Sequence, residues 1–448
     1  MRRLTLVLAI LILVLNFGIL GAAEIGNSDD RVALKHMLVD ITRIASPALS
    51  KFKSDENMTF WCELDNDFFI SYKSGKTPRI PDHAVIKTGI FTDNKMSEPM
   101  LAIKRGVSSP LDQYKEELNI IYENGPYTIF QAPPNVFNEI AKLEGNHFKL
   151  ESLKQNIRVA VNIKHIAIPD IKMGETVSVN LERLTGRIKT FESFKTRYSY
   201  SEGYLKAANF AVEEFTKLGF EAKLVEYSDN GKLQYNVVAQ KKSAEKSGGF
   251  YVVGGHLDSM APNPSVEAPG ADDNASGSAG AMEVAEIIAK FQFADKVRFV
   301  LFAGEELGLR GSKAYVSQLK ASGEIKNVLG MVNLDMIGFD KKPPISSLWQ
   351  TKQIYDGFVG NFLAVAKHSG KLKITMSYNV WGSDHVSFIN AGAPAFLFIE
   401  DEYGANPHYH QITDHVENLN PEMLTEFVRV VAQGLVNILS VPPAQAKK

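Results

Sequence analysis

From residue 176 to residue 441 the chain alternates short apolar, β-branched runs with longer runs of helical spacing. Few folds accept that pattern other than helices packed on a largely parallel sheet. Ser201 is placed to cap a helix with Leu205, Ala208, Val212, Phe215 and Leu218 on one side, ending at Gly219. Strands are expected at 222–227, 234–240, 250–253, 297–303, 327–334 and 395–399, and an Ala-rich helix at 276–290. Asn420-Pro421 starts a last helix, with Asn as cap and Pro in the first turn. The expected fold class is α/β, a mainly parallel sheet flanked by helices.

Residues 24–175 lack this alternation and read as a smaller α+β domain preceding it, an accessory or pro-domain. Spacing over 31–45, with Leu34, Leu38, Ile41 and Ala45 on one side, predicts a helix. Strands are expected at 58–64 and 67–72, and a short helix at 136–143. His36, His83, His147 and His165 stand singly, as structural histidines do. Cys62, beside Trp61, is the chain's one cysteine and reads as a packed thiol. It excludes an internal disulfide framework and any zinc site built on several thiolates. The polar stretch 168–179 reads as a linker.

Arg2 and Arg3 precede an apolar run over 4–20 and the small residues Gly21-Ala22-Ala23. Residues 1–23 therefore read as a signal peptide cut after Ala23, with an uncleaved anchor as the other reading. The expected location is secreted or periplasmic, with no stable membrane insertion after cleavage. Lys and Arg number 49 against 51 Asp and Glu, so no basic excess exists to hold nucleic acid.

Polar clusters follow the expected strands. The strand at 250–253 runs into Gly254-Gly255-His256-Leu257-Asp258-Ser259, that at 297–303 into Gly304-Glu305-Glu306, and that at 327–334 into Asp335. The last strand leads to a loop holding His408 and His410, and Gly270-Ala271-Asp272-Asp273-Asn274 opens a helix. Ligand crevices of open α/β sheets lie at the carboxyl ends of strands. Taken singly, Glu305-Glu306 suits a solvated surface, Asp272-Asp273 a helix cap and His256 a core histidine. Together, His, Asp, Glu, Asp and His suit zinc. Five groups exceed one catalytic zinc with an open position and fit two metals sharing a carboxylate, with an adjacent Glu free to move a proton.

Those segments, with Ala268-Pro269-Gly270-Ala271-Asp272-Asp273-Asn274-Ala275-Ser276-Gly277, Glu305-Glu306-Leu307-Gly308-Leu309-Arg310-Gly311-Ser312, Asn333-Leu334-Asp335-Met336-Ile337-Gly338 and Ser383-Asp384-His385, closely resemble the secreted bacterial leucyl aminopeptidases. These belong to the co-catalytic di-zinc aminopeptidase family, and the resemblance spans roughly residues 181–440. It implies a zinc-exopeptidase fold, two Zn2+ per chain, and hydrolysis of the N-terminal residue from peptides with a free N-terminus. It implies His256 with Asp335 on one zinc, Glu306 with His410 on the other, Asp273 bridging, and Glu305 as general base. His408 is the rival of His410, which precedes Asp414 by four residues with Gln411 where the family usually has Thr. Asp258 is placed to orient the His256 imidazole. A family tyrosine that helps the oxyanion falls near Val380, and Tyr378 is its candidate replacement. The rival functions are a glutaminyl cyclase, a metallo-carboxypeptidase and a non-enzymatic binding module on the same fold. Residues 24–170 are expected either to cover the strand-end crevice as a pro-segment or to pack permanently on the domain.

Overall fold

The structure, a computed structural model, describes residues 34–440 apart from 45–47, 50–51, 92–94, 106–108, 146–147, 164–167, 169–175, 244–247, 341–343 and 402–405. The expected signal peptide, His147, His165 and most of the expected linker lie outside the described residues. The first half supplies β1 (Leu34–Asp40), β2 (Met58–Asp65), β3 (Asp67–Lys73), β4 (Val85–Ile90), β5 (Met100–Lys104), β6 (Asn119–Asn124), β7 (Tyr127–Gln131), α1 (Pro134–Ala141), β8 (Phe148–Ser152) and β9 (Ile157–Asn162). Next come α2 (Leu181–Ser193), α3 (Glu202–Lys217), β10 (Glu221–Asp229), β11 (Lys232–Gln240), β12 (Phe250–His256) and α4 (Gly277–Ile288). They are followed by β13 (Val297–Phe302), α5 (Arg310–Ala321), β14 (Val328–Leu334) and β15 (Ile345–Gln350). The chain then forms α6 (Asp356–Ser369), β16 (Leu372–Ser377), α7 (His385–Asn390), β17 (Ala395–Glu400) and α8 (Pro421–Ser440).

β12 runs parallel to both β13 and β14, and β14 runs parallel to β17. These four strands end at one edge, where the polar clusters begin. Period-two alternation sends their side chains to two separate cores. Val253, Phe299 and Phe396 pack under α2, α3, α4, α6 and α8 with Leu184, Phe215, Met282, Phe362 and Phe427. Val252, Val300 and Phe302 face Tyr315 and Val316 of α5 and Phe388 and Ile389 of α7. The helix α4 approaches the sheet closely because two residues lack a Cβ. A Cβ on Gly255 or Gly277 would stand 2.4 or 2.3 Å from the Leu334 carbonyl oxygen. α8 is long and apolar enough to cross a membrane, and it is mostly buried in the core.

The sheet continues past the α/β part. β15 turns antiparallel to β17, β16 pairs with β9 through Met376 and Val161, and β2, β3, β1 and β4 follow, giving thirteen strands among the described residues. A separate antiparallel sheet holds β6, β7, β5 and β8. The two regions expected from the sequence thus share one hydrogen-bonded sheet.

Two local expectations differ from the structure. The segment expected as a helix over 31–45 is β1, followed by a single 3-10 turn at Ile41–Arg43, while Ala45 lies outside the described residues. β1 pairs on both sides, with β3 and β4, and its Met37 and Val39 enter one apolar cluster with Ile41. Pairing on two edges overrides the helical spacing, which this short run also satisfies. Helix α3 does begin at the Ser201 cap, whose side chain accepts from the Tyr204 N–H, and Gly219 follows it at φ +75°. Its buried face is rotated from the expected one, however, to Tyr204, Ala207, Ala208, Ala211 and Phe215. The small alanines bring the helix close to the sheet, and the Tyr204 hydroxyl donates to the Tyr235 carbonyl at 2.7 Å.

Phe215 is 0% and Leu205 40% exposed. Phe215→Ala should therefore cost about 3–5 kcal/mol of stability, as for a core aromatic. Leu205→Ala should stay within about 0.5 kcal/mol. Denaturant unfolding of both variants checks the assignment, and equal costs would return Leu205 to the core.

Candidate metal centre

Each candidate side chain stands where its strand stops. His256 is the last residue of β12, Glu305 and Glu306 follow β13, and Asp335 follows β14. Asp273 lies in the turn before α4, and His410 lies in the loop between β17 and α8, with φ +57°. The structure brings these residues together. The two oxygens of Asp273 face one imidazole each: Oδ1 is 3.1 Å from His256 Nε2 and Oδ2 is 3.1 Å from His410 Nε2. Asp335 Oδ1 is 3.3 Å from His256 Nε2, and Glu306 Oε2 is 3.0 Å from His410 Nε2. Asp273 thus stands between a His256–Asp335 pair and a Glu306–His410 pair.

The protonation logic of this cluster points to a cation. His256 Nδ1 lies 3.1 Å from the Asp258 carbonyl oxygen, so it carries a proton and donates. In a neutral ring Nε2 is then a lone pair, yet it faces two carboxylate oxygens. Acceptors meeting acceptors in a buried place need a positive ion among them. Glu306 Oε1 is buried without a hydrogen-bond partner, which a metal would supply. Ligand atoms of His256, Asp273 and Glu306 all lie within 4.8 Å of one another. Imidazole with carboxylate and no thiolate is a donor set that suits zinc. Burial pushes the Glu305 carboxyl well above the ordinary range, opposed by His256 and reinforced by Glu306 and Asp335.

The supporting groups explain how the donors are held. Asp414 accepts from the backbone N–H of Asp272 at 2.9 Å and of Asp273 at 3.0 Å. Asp272 itself turns away and accepts from the Gly338 N–H and from Asn406. Asn274 accepts from the N–H groups of Gly277 and Met336 and donates to the Leu334 carbonyl. It is the carbonyl of Asp258, more than its carboxylate, that orients His256. That carboxylate lies 3.6 Å from the ring and accepts from Ser199 and from the Glu305 N–H. His408 faces elsewhere, with Nδ1 3.0 Å from the Thr413 hydroxyl and its ring edge-on to Phe339. The Tyr378 hydroxyl donates to Asp356 at 2.8 Å and its ring lies under Arg158, so it points away from the cluster.

Sequence reasoning did not find Arg197, Asn406 or the role of Asn274. Arg197 is fully buried and donates to the carbonyls of Leu257, Pro269 and Gly270 at 2.9, 2.6 and 2.7 Å, tying the loops that flank His256 and Asp273. Burial pushes it down to about 10. A lone arginine carries no spacing signal. A second cluster, Glu192, His415 and Glu417, is partly exposed, and there Glu192 binds His415 Nδ1 and the Val416 N–H.

A family model described as Peptidase family M28 matches residues 236–435. A "Probable leucine aminopeptidase" of Arthroderma otae is 30% identical over 290 residues, which are 60% of this chain and 76% of that protein. Among solved structures, the Legionella pneumophila LapA aminopeptidase matches with a TM-score of 0.53 at 19% identity, over 76% of this chain and 98% of its own. BSAP, a zinc aminopeptidase from Bacillus subtilis, matches with 0.52 at 17% identity, over 58% and 95%. At these identities the two structures share the fold. The wider likeness to LapA exceeds the share of the chain that residues 176–441 occupy, so it takes in part of the first half.

Two sets of variants test the geometry. Zinc binding should weaken in His410→Ala and persist in His408→Ala, by competition against a chromogenic chelator; the reverse result would exchange their places. Arg197→Lys cannot serve three carbonyls with one ammonium. Leaving buried carbonyls unpaired costs about 1–3 kcal/mol each. Zinc affinity should fall roughly 10–100-fold, as for other groups that hold ligands in place. An unchanged melting temperature and unchanged affinity would remove Arg197 from this role.

Proposed function

The chain belongs to peptidase family M28 and is a zinc-dependent metallo-aminopeptidase, and from that premise we propose that it frees the N-terminal residue of peptides at a centre of two zinc ions, with Glu305 as the general base. His256, Asp335 and one oxygen of Asp273 would hold one ion, and Glu306, His410 and the other oxygen of Asp273 the second. The observation that carries this reading is Asp273 placed between two His–carboxylate pairs, with 3.1 Å to an imidazole on each side. Bound zinc would lower the pKa of water toward ~7 and polarise the scissile carbonyl.

The remaining work falls to the chain's own groups. Glu305 takes a proton from the attacking water as its oxygen bonds to the carbonyl carbon. It gives that proton to the departing nitrogen as the C–N bond breaks, so one water becomes the new carboxyl and amine. The N–H of Glu305 is held 3.2 Å from Asp258 Oδ1, which links the base to the loop that orients His256. A free α-amine would be a ligand for one of the two zinc ions, and acylation removes that donor, which is the basis for proposing a free N-terminus as the requirement. The apolar run behind Arg2 and Arg3 supports export, to a secreted or periplasmic location, as part of the same proposal.

The test pairs a substrate panel with one variant. Leucyl-nitroanilide should be cleaved, its N-acetylated form should not, and a chelator should abolish the reaction. Glu305→Gln should retain zinc and lose about 10²–10⁴ in turnover, the range for general acid–base catalysis. Cleavage of the acetylated compound would refute the free-amine requirement. A fully active Glu305→Gln would place the base elsewhere, and one zinc per chain would refute the paired centre.

A further inference from the structure

The first half of the chain sends one side chain into this site. Arg105 follows β5 directly, its side chain is 5% exposed, and one guanidinium nitrogen lies 3.9 Å from Asp335 Oδ2. The guanidinium lies over the Trp381 ring, 5.4 Å from its centroid. Trp381 itself packs with Phe60, Leu101 and Ile103 of the first half. The neighbouring Asn379 accepts from Lys149 at 2.7 Å. The 378–382 loop is thus a seat for the first half, and Arg105 is fixed at that seat from both sides.

A charge-assisted hydrogen bond between guanidinium and carboxylate is about 2.7–2.9 Å long. At 3.9 Å the pair with Asp335 is electrostatic. Asp335 Oδ1 is turned to His256, and Oδ2 is turned to Arg105. A carbonyl reacting beside Asp335 therefore reacts beside this guanidinium as well.

We infer that Arg105, supplied by the first half of the chain, binds the oxygen of the scissile carbonyl as it becomes anionic. The reacting oxygen gains negative charge near the Asp335 carboxylate, and a cationic donor there adds to the polarisation that bound zinc would supply. A planar guanidinium with several N–H groups, held by packing on Trp381, is such a donor and acts without reorganising. Tyr378, whose hydroxyl is committed to Asp356, does not compete for the role. The first half is then part of the active site and is no removable cover. This inference rests on the aminopeptidase reading above.

The experiment uses the full-length zinc enzyme and Arg105→Gln, with Arg105→Lys as a second variant. Zinc content and melting temperature are measured first. Substrates are leucyl-nitroanilide, a leucyl dipeptide and that dipeptide's amide. Binding is measured for free leucine and for the boronic acid analogue of leucine, which takes on a tetrahedral anionic form. Arg105→Gln should lower kcat on all three substrates by about 10²–10³, the loss seen when an oxyanion donor is removed, with KM little changed. Affinity for the boronic acid should fall by a similar factor, while leucine binds as before. A loss confined to the free-carboxylate dipeptide would overturn the inference and make Arg105 a reader of the peptide's carboxyl end. Unchanged kcat would overturn it, and so would higher kcat, which would make the first half an inhibitor. If Arg105→Gln loses zinc or unfolds, Arg105→Lys decides. Its rate and boronic acid affinity should fall together with leucine binding held, and an equal fall in leucine binding overturns the inference. A wild-type enzyme inactive on leucyl-nitroanilide defeats the aminopeptidase reading itself, whereas an active wild type matched by Arg105→Gln defeats this inference alone.

Discussion

Two backbone N–H groups, those of Asp272 and Asp273, end on the single buried carboxylate of Asp414. The geometry of the centre depends on that grip. It presents the Asp273 carboxylate with one oxygen toward His256 and the other toward His410. Asp414 lies on the same loop as His410, so the group that aims the shared carboxylate and one of the imidazoles facing it move as a unit. On the opposite side Asn274 ties the same turn to the Leu334 carbonyl and the Met336 N–H, the backbone on either side of Asp335. Strand ends that are distant in sequence are thereby coupled through one turn, and a displacement of any of them reaches Asp273.

The α/β part is legible in the sequence because its signals are local. A strand buried on both faces is an apolar run, and its end is marked by glycine and a polar cluster, as at Gly254-Gly255-His256 and Gly304-Glu305-Glu306. β1 is not legible in this way, because seven residues can satisfy helical and strand spacing at once, and only its pairing with β3 and β4 settles which one wins. On α3 the expected face places Leu205 inward, yet alanines at 207, 208 and 211 allow a closer approach than leucine would. Hydrophobicity ranks leucine above alanine, whereas proximity to a sheet rewards the smaller side chain. Of the site, the groups that touch the cluster carry motifs. Those that hold them, Arg197, Asn406 and Asn274, act through backbone atoms of remote segments and leave no fixed spacing in sequence.

The first half reads as a separate unit because its composition and pattern differ from those of residues 176–441. Differences in pattern do not imply a gap in structure. β9 adds to β16 and β2 adds to β9, so the sheet's backbone hydrogen bonds cross between the regions. The 378–382 loop adds side-chain contacts to that seam: Trp381 in a first-half cluster, Asn379 with Lys149 and Tyr378 with Arg158. The loop is here packed against a neighbouring part of its own chain.

Charge finally explains why such a site and such a fold belong together. Asp273, Glu305, Glu306 and Asp335 are all buried, and burying one unpaired carboxylate is already costly. Gathering four within reach of two imidazoles is relieved by bound cations, or in their absence by protonation, since burial raises the Glu305 and Glu306 carboxyls. Metal affinity and folding free energy are therefore linked. The rigid parallel strands, Arg197's three carbonyl contacts and Asp414's two N–H contacts hold like charges closer together than they would rest in water. A scaffold that resists their separation in the empty state is what makes the loaded state tight, and it leaves the Arg105 guanidinium, which enters from outside this framework, as a positive group of the chain itself beside Asp335.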